Sequence, residues 1–225
     1  MLQHKPIFPL KIKMVFVAFA LPICIVACQS NKTDTSEQKI TVDTPTLKRT
    51  LTLVHLKSKF KYHDLKIFKP DFSWDGLDRQ FVRVDSSAFR LIFQDGDRKF
   101  MDDRYEQDYY YSWQNRDKNF IEFTILTPDE SSNCLTLKYF IFDKNGKFIS
   151  KFDIANTCGD AGWTFNADGK QLSPSKFIYN TDEADSDIED IWEKGDSASY
   201  EITINKQGKV VEREIYKRHF TRKTR

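Results

Sequence analysis

The sequence predicts an all-β fold: an antiparallel β-sandwich or a curved β-meander built from hairpins, with room for one short helix. Three observations carry this. Aromatic residues are abundant, with 19 Phe in 225 residues, while Gly and Pro number only 8 and 7; that balance suits pleated strands. No long stretch repeats apolar residues at helical spacing. A Gly-Lys pair that follows polar residues recurs between apolar runs, as at hairpin turns.

Taken in order, residues 51–56 (Leu-Thr-Leu-Val-His-Leu) are largely apolar and read as a first strand. Residues 67–72 are broken by Pro70 and leave the class open, and Trp74-Asp75-Gly76 is a turn. Partial alternation over 80–84 suits a strand, and residues 89–93 and 99–101 flank Asp95-Gly96 as a hairpin would. The short helix would fall around residues 102–109. Residues 109–113 and 120–126 read as strands, the second ended by Pro128.

The clearest element is a hairpin of residues 135–142 and 148–154 about Asn145-Gly146, a pair that readily takes the positive φ angles of a tight turn. Cys134 and Cys158 stand at equal distances either side of Gly146. A regular hairpin brings them opposite each other or one step off register. Cross-strand Cβ separations of ~4.5–5.5 Å are close to what a disulfide accepts. A Cys134–Cys158 disulfide is therefore predicted, and would contribute on the order of 3 kcal/mol.

The turn signature recurs at Phe142-Asp143-Lys144-Asn145-Gly146-Lys147, Phe165-Asn166-Ala167-Asp168-Gly169-Lys170 and Ile204-Asn205-Lys206-Gln207-Gly208-Lys209. The third has the best flanks: Tyr200, Ile202 and Ile204 alternate with polar residues, and 211–216 returns. The spacing is unequal, so the pattern is a meander rather than a strict repeat. Residues 181–197 are dense in acids, carry Trp192, and read as an exposed loop or short helix. Lys217, Arg218, His219, Arg222, Lys223 and Arg225 read as a solvated, fraying tail.

The chain begins with Lys5, Lys11 and Lys13 and no acid, followed by an uncharged apolar run over residues 14–27. That run has signal-peptide length and is shorter than the ~20 apolar residues of a spanning helix. It closes on Ile25-Val26-Ala27-Cys28. The four residues resemble the lipobox of bacterial lipoproteins. Cys24 is rejected as the alternative because bulky Ile23 precedes it. The resemblance implies a signal peptide over 1–27, lipidation of Cys28, and an anchor that several acyl chains make effectively permanent. Gln29 is not the aspartate associated in the family with inner-membrane retention, so the outer membrane is favoured over the inner. Residues 28–47 are the lipidated start and a polar tether, and 48–225 a single β-rich domain. An exported chain also meets the oxidising conditions that a disulfide needs.

Of 35 basic residues three lie in the leader, which leaves 32 against 33 acids. Nothing then points to nucleic acid as a partner. His55, His63 and His219 do not sit at metal-binding spacings, and zinc on Cys134 and Cys158 would need two further ligands. Asp143-Lys144-Asn145-Gly146 fails as a calcium loop, because Ile141 takes the first ligand position. No Gly-x-Ser-x-Gly elbow or phosphate-cradling loop occurs. The acids Asp182, Glu183, Asp185, Asp187, Glu189 and Asp190 read as solvated charge. Most Trp and Tyr residues are expected to fill the core. The surface candidates are Trp192 with Asp187, Glu189 and Asp190. No catalytic residue, cofactor or metal is expected. The reading is a non-enzymatic envelope lipoprotein, held to the membrane by lipid, that binds a protein or cell-wall component. The alternatives are an immunity lipoprotein that caps a toxic enzyme, with the 181–197 segment as plug, and an envelope hydrolase.

Overall fold

The computed structural model describes residues 51–69, 74, 76–101, 107–129, 131–186 and 192–223. Residues 1–50, which hold the expected leader, the expected lipidation site Cys28 and the expected tether, lie outside the described residues, as do Asp187, Glu189, Asp190 and positions 102–106 of the expected short helix.

The described strands form one open sheet, which is the curved meander of the sequence prediction rather than two separate sheets. They are β1 (Tyr62–His63), β2 (Ile67–Phe68), β3 (Tyr109–Gln114), β4 (Phe120–Asp129), β5 (Cys134–Asp143), β6 (Phe148–Asp160), β7 (Trp163–Ser173), β8 (Lys176–Ser186), β9 (Trp192–Ile204) and β10 (Val210–Lys223). From β3 to β10 each strand pairs with the next, antiparallel throughout. β1 adds to β3 in parallel, and β2 pairs with β7 at Lys170 and Gly169.

The sheet bends back on itself at the β6–β7 corner, where the two strands pair only between residues 156–160 and 163–167. Phe177 of β8 then meets Tyr139 of β5 and Phe152 of β6, with ring centroids 5.4 and 5.5 Å apart. Leu137, Ile141, Ile154, Ile202 and Ile204 fill the same inner core. A second core lies on the outer face of β3–β5, where Phe123, Phe140 and Phe142 pack under Leu56, Phe89 and Ile92 of the covering helices. β3–β5 are therefore buried on both faces, which is why Tyr109, Tyr110 and Tyr111 are all buried despite alternating sides.

A buried polar clasp holds the bend. The Arg116 guanidinium donates to Glu122 on β4 and to the Pro174 carbonyl in the β7–β8 turn. Beside it Gln114 donates to Ser112, whose hydroxyl lies 2.6 Å from that of Thr124.

Several local expectations are corrected. Residues 51–56 are no strand but lead into a 3₁₀ helix, Leu53–Lys59, because Leu53 and Leu56 share one face at three-residue spacing and both are buried. Residues 80–84 are split between helix α1 (Leu77–Gln80) and a single bridge from Arg83 to Tyr109. The expected hairpin at Asp95-Gly96 is instead preceded by helix α2 (Ser86–Ile92), capped by Asp85, whose carboxylate accepts from the backbone N–H groups of Ser87 and Ala88. Pro128 does not end β4. β3 pairs with β4 no further than Leu126, so at Pro128 the strand needs a partner only on the β5 side, and there it pairs with Leu135. Asp168-Gly169 is no turn but the middle of β7. Residues 181–197 are not a loop, since most of them belong to β8 and β9. The basic tail is not frayed through 223, because β10 pairs with β9 as far as Lys223 opposite Trp192.

The hairpins at Asn145-Gly146 and Gln207-Gly208 are present, and Cys134 and Cys158 form a disulfide with Cα atoms 4.1 Å apart.

Candidate functional site

Beyond the bend, the outer halves of β7–β10 carry a broad trough on their inner face. Strand pairing sets its rows. Trp163, Asp185, Lys194 and Thr221 lie side by side across the four strands. Two residues further along come Phe165, Glu183, Asp196 and His219, and then Ala167, Thr181, Ala198 and Lys217. A later row brings Tyr179 beside Tyr200, with ring centroids 6.3 Å apart. The period-2 geometry of strands puts these alternate residues on one face.

Three cavities make up the trough. The first, about 500 Å³, lies between Trp163, Asp185 and His219. It shares Glu183 and Asp196 with a second of about 250 Å³ that reaches Tyr200. The second shares Tyr179 and Glu212 with a third of about 530 Å³ between the starts of β6 and β10.

Acids and bases are interspersed along it, with Asp153, Glu183, Asp185, Asp196 and Glu212 beside Lys151, Lys194, Lys209, Lys217 and His219. Glu183 and Asp196 sit directly opposite each other on neighbouring strands, an arrangement of like charges that destabilises a sheet. The Trp163 indole N–H donates to Glu183 at 3.0 Å. Lys217 lies 3.0 Å from Asp196, and His219 also pairs with it. Hydrogen bonding to Asp196 raises the Lys217 ammonium above its ordinary value. Asp185 and Glu212 have no ion-pair partner among the described residues. Burial raises the Tyr179 phenol, and the charges of Asp153 and Glu212 add to that. The Gly195 backbone is pressed against β8: a Cβ there would lie 2.8 Å from the Ala184 Cα. Only Gly lets β9 approach so closely.

Comparison with protein-family models, with curated proteins and with solved structures finds no match to this chain. The site is therefore read from its own residues.

Of the surface residues predicted from the sequence, Trp192 opens β9 on the trough side, two residues before Lys194, and is 48% exposed. Trp113 is buried as expected of a core tryptophan, whereas Trp163 lines the trough and is only half-buried. The sequence reading missed Trp163, Phe165, Glu183, Asp185 and Asp196 as one surface. The available signal was period-2 alternation: Glu183 and Asp185 bracket Ala184, which is 1% exposed, and Trp163 and Phe165 bracket Thr164. High charge density over 182–190 hid that alternation.

The two cysteines are joined to each other, which removes them as zinc ligands. The described part has no helix long and apolar enough to cross a membrane.

Proposed function

We propose that this chain is a lipid-anchored lipoprotein of the bacterial envelope, and that its folded part is a non-enzymatic binding module with the β7–β10 trough as its ligand surface. The trough carries the reading. It is a continuous concavity lined by Trp163, Phe165, Tyr179 and Tyr200 together with carboxylates and lysines, the mixture of apolar platform and orienting polar groups that ligand sites use. The charged-then-apolar leader ending on Ala27-Cys28 supports the address, and the Cys134–Cys158 disulfide accords with export.

Two measurements test it. Cells grown with radioactive palmitate should label the natural protein and not a Cys28→Ser variant. A photo-crosslinking residue placed at Phe165 should capture an envelope component, while one at Val54, exposed over the outer core, should not. Equal capture from both positions removes the trough from the reading.

The immunity-lipoprotein alternative draws on the same surface, because the acidic face of the β8–β9 hairpin could cap a basic cleft on a toxic enzyme. Protection of cells that is lost on neutralising Glu183, Asp185 and Asp196 would favour it.

A further inference from the structure

We propose that the trough binds a neutral glycan chain, with sugar rings stacked on its aromatic side chains and sugar hydroxyls held by the charged groups between them. This rests on the trough being the ligand surface and adds the chemical class of its occupant.

The charges exclude other occupants. The three cavities hold five carboxylates against four lysines and the imidazole of His219. Opposite signs stand side by side: Asp185 faces Lys194 across neighbouring strands, and Asp196 is engaged by Lys217 and His219. A surface so balanced presents little net field, and so selects neither a polyanion nor a polycation. An apolar chain fits no better, because it would cover these groups without offering them hydrogen bonds. A carboxylate only accepts and an ammonium only donates, whereas a hydroxyl does both. A neutral, hydroxyl-rich ligand therefore answers both kinds of group.

The aromatics supply the second condition. Trp163, Phe165, Tyr179 and Tyr200 line the trough and stay half-buried there instead of filling the core. Trp192, 48% exposed, continues them on β9. Register sets carboxylates beside rings, with Trp163 opposite Asp185 and Phe165 opposite Glu183. The Trp163 indole N–H donates to Glu183 at 3.0 Å, which holds that ring in place before a ligand arrives. A sugar ring has the matching layout, with C–H groups over its face and hydroxyls around its rim. Its face packs on an aromatic ring, whose negative π face attracts the polarised C–H groups, and its rim reaches the neighbouring acid. From Asp185 to Tyr179 β8 advances six residues, about 20 Å at the strand rise, so the trough takes several sugars in line.

The test titrates the full-length protein by calorimetry, in a detergent without a sugar headgroup, with three neutral probes: an N-acetylglucosamine hexamer, a β-linked glucose hexamer and a Ser-Gly octapeptide. At least one hexamer should bind, with an affinity that changes less than twofold between low and high salt. Trp163→Ala should weaken that binding at least tenfold, and Trp163→Phe, which keeps a ring, by less. Val54→Ala, exposed over the outer core, should leave it unchanged. Phe165→Ala replaces Trp163→Ala in the comparison if the latter lowers the Tm. Binding of neither hexamer, undiminished binding in the alanine variants, a larger salt dependence, or binding of the octapeptide alone overturns the proposal. If position 165 still crosslinks an envelope component and position 54 does not, the trough stands as the ligand surface without the glycan. Equal crosslinking from both positions removes the trough as well.

Discussion

The Arg116 guanidinium donates to the Glu122 carboxylate at 2.9 Å with both side chains buried, 4% and 1% exposed. Both residues belong to the β3–β4 hairpin, and from there Arg116 also reaches the Pro174 carbonyl in the β7–β8 turn. The contact therefore ties the two halves of the bent sheet together. Removing one partner leaves an uncompensated buried charge, which costs about 3–5 kcal/mol.

Arg116→Met should accordingly lower the urea midpoint by an amount equivalent to about 3–5 kcal/mol, and Arg116→Met/Glu122→Met should regain most of that loss. If the double variant is no more stable than the single, the pair is not a coupled clasp.

Gly169 lies in the middle of β7, against β6. A Cβ built there would come 2.4 Å from the Ile154 carbonyl oxygen and 2.5 Å from its Cδ1. Gly169→Ala should destabilise by about 1–3 kcal/mol through overpacking, read as a lowered Tm. At Gly96, where no described atom lies within 4 Å of a built Cβ, Ala meets only the strain of a φ of 74°. It should cost less, by about 1 kcal/mol.

Cys134 and Cys158 close a loop with a sequence separation of 24. Replacing both with Ala should cost about 3 kcal/mol by the chain-entropy account, measured as urea unfolding under oxidising conditions. The natural protein in reductant should fall to the level of the variant.

Asp108 is buried beside Arg98, whose Nε lies 3.1 Å from its carboxylate. Burial pushes its pKa up to about 6, against the pull of Arg98. A carboxyl raised in the folded state stabilises fully below its unfolded value, near 4, and that contribution is lost as pH rises through about 6. Unfolding free energy measured from pH 4 to 7 should therefore fall for the natural protein relative to Asp108→Asn, by up to roughly 3 kcal/mol. Parallel pH curves would show that burial does not govern this group.

The Cys134–Cys158 pairing shows where sequence and structure part. At the turn Phe142 pairs with Phe148, and an unbroken ladder from there would set Cys134 opposite Asn156. Register slips between Ile141 and Phe142 and between Leu137 and Lys138 each place an extra residue on β6, and so bring Cys158 into line. The residues skipped are Ile149 and Ile154, and both turn into the inner core. The sequence count about Gly146 arrived at the right pair. The geometry that realises it depends on two bulges, which only the packing of isoleucines against the folded-back sheet explains.

Errors elsewhere had similar causes. Asp95-Gly96 and Asp168-Gly169 carry hairpin chemistry, but Ala88, Phe89 and Ile92 found a core beneath a helix, and Gly169 found a neighbouring strand too close for any side chain. Local propensity yields to such contacts.

What the sequence by itself determined is what depends on near neighbours: the β class, the Asn145-Gly146 and Gln207-Gly208 turns, and two cysteines within reach of each other. What only the tertiary structure decided is what depends on strands far apart in the chain. The bend at β6–β7, the reach of Arg116 to the Pro174 carbonyl and the trough rows of Trp163, Glu183, Asp196 and His219 are set by sheet register. A shift of one residue in any ladder would send each of those side chains to the other face.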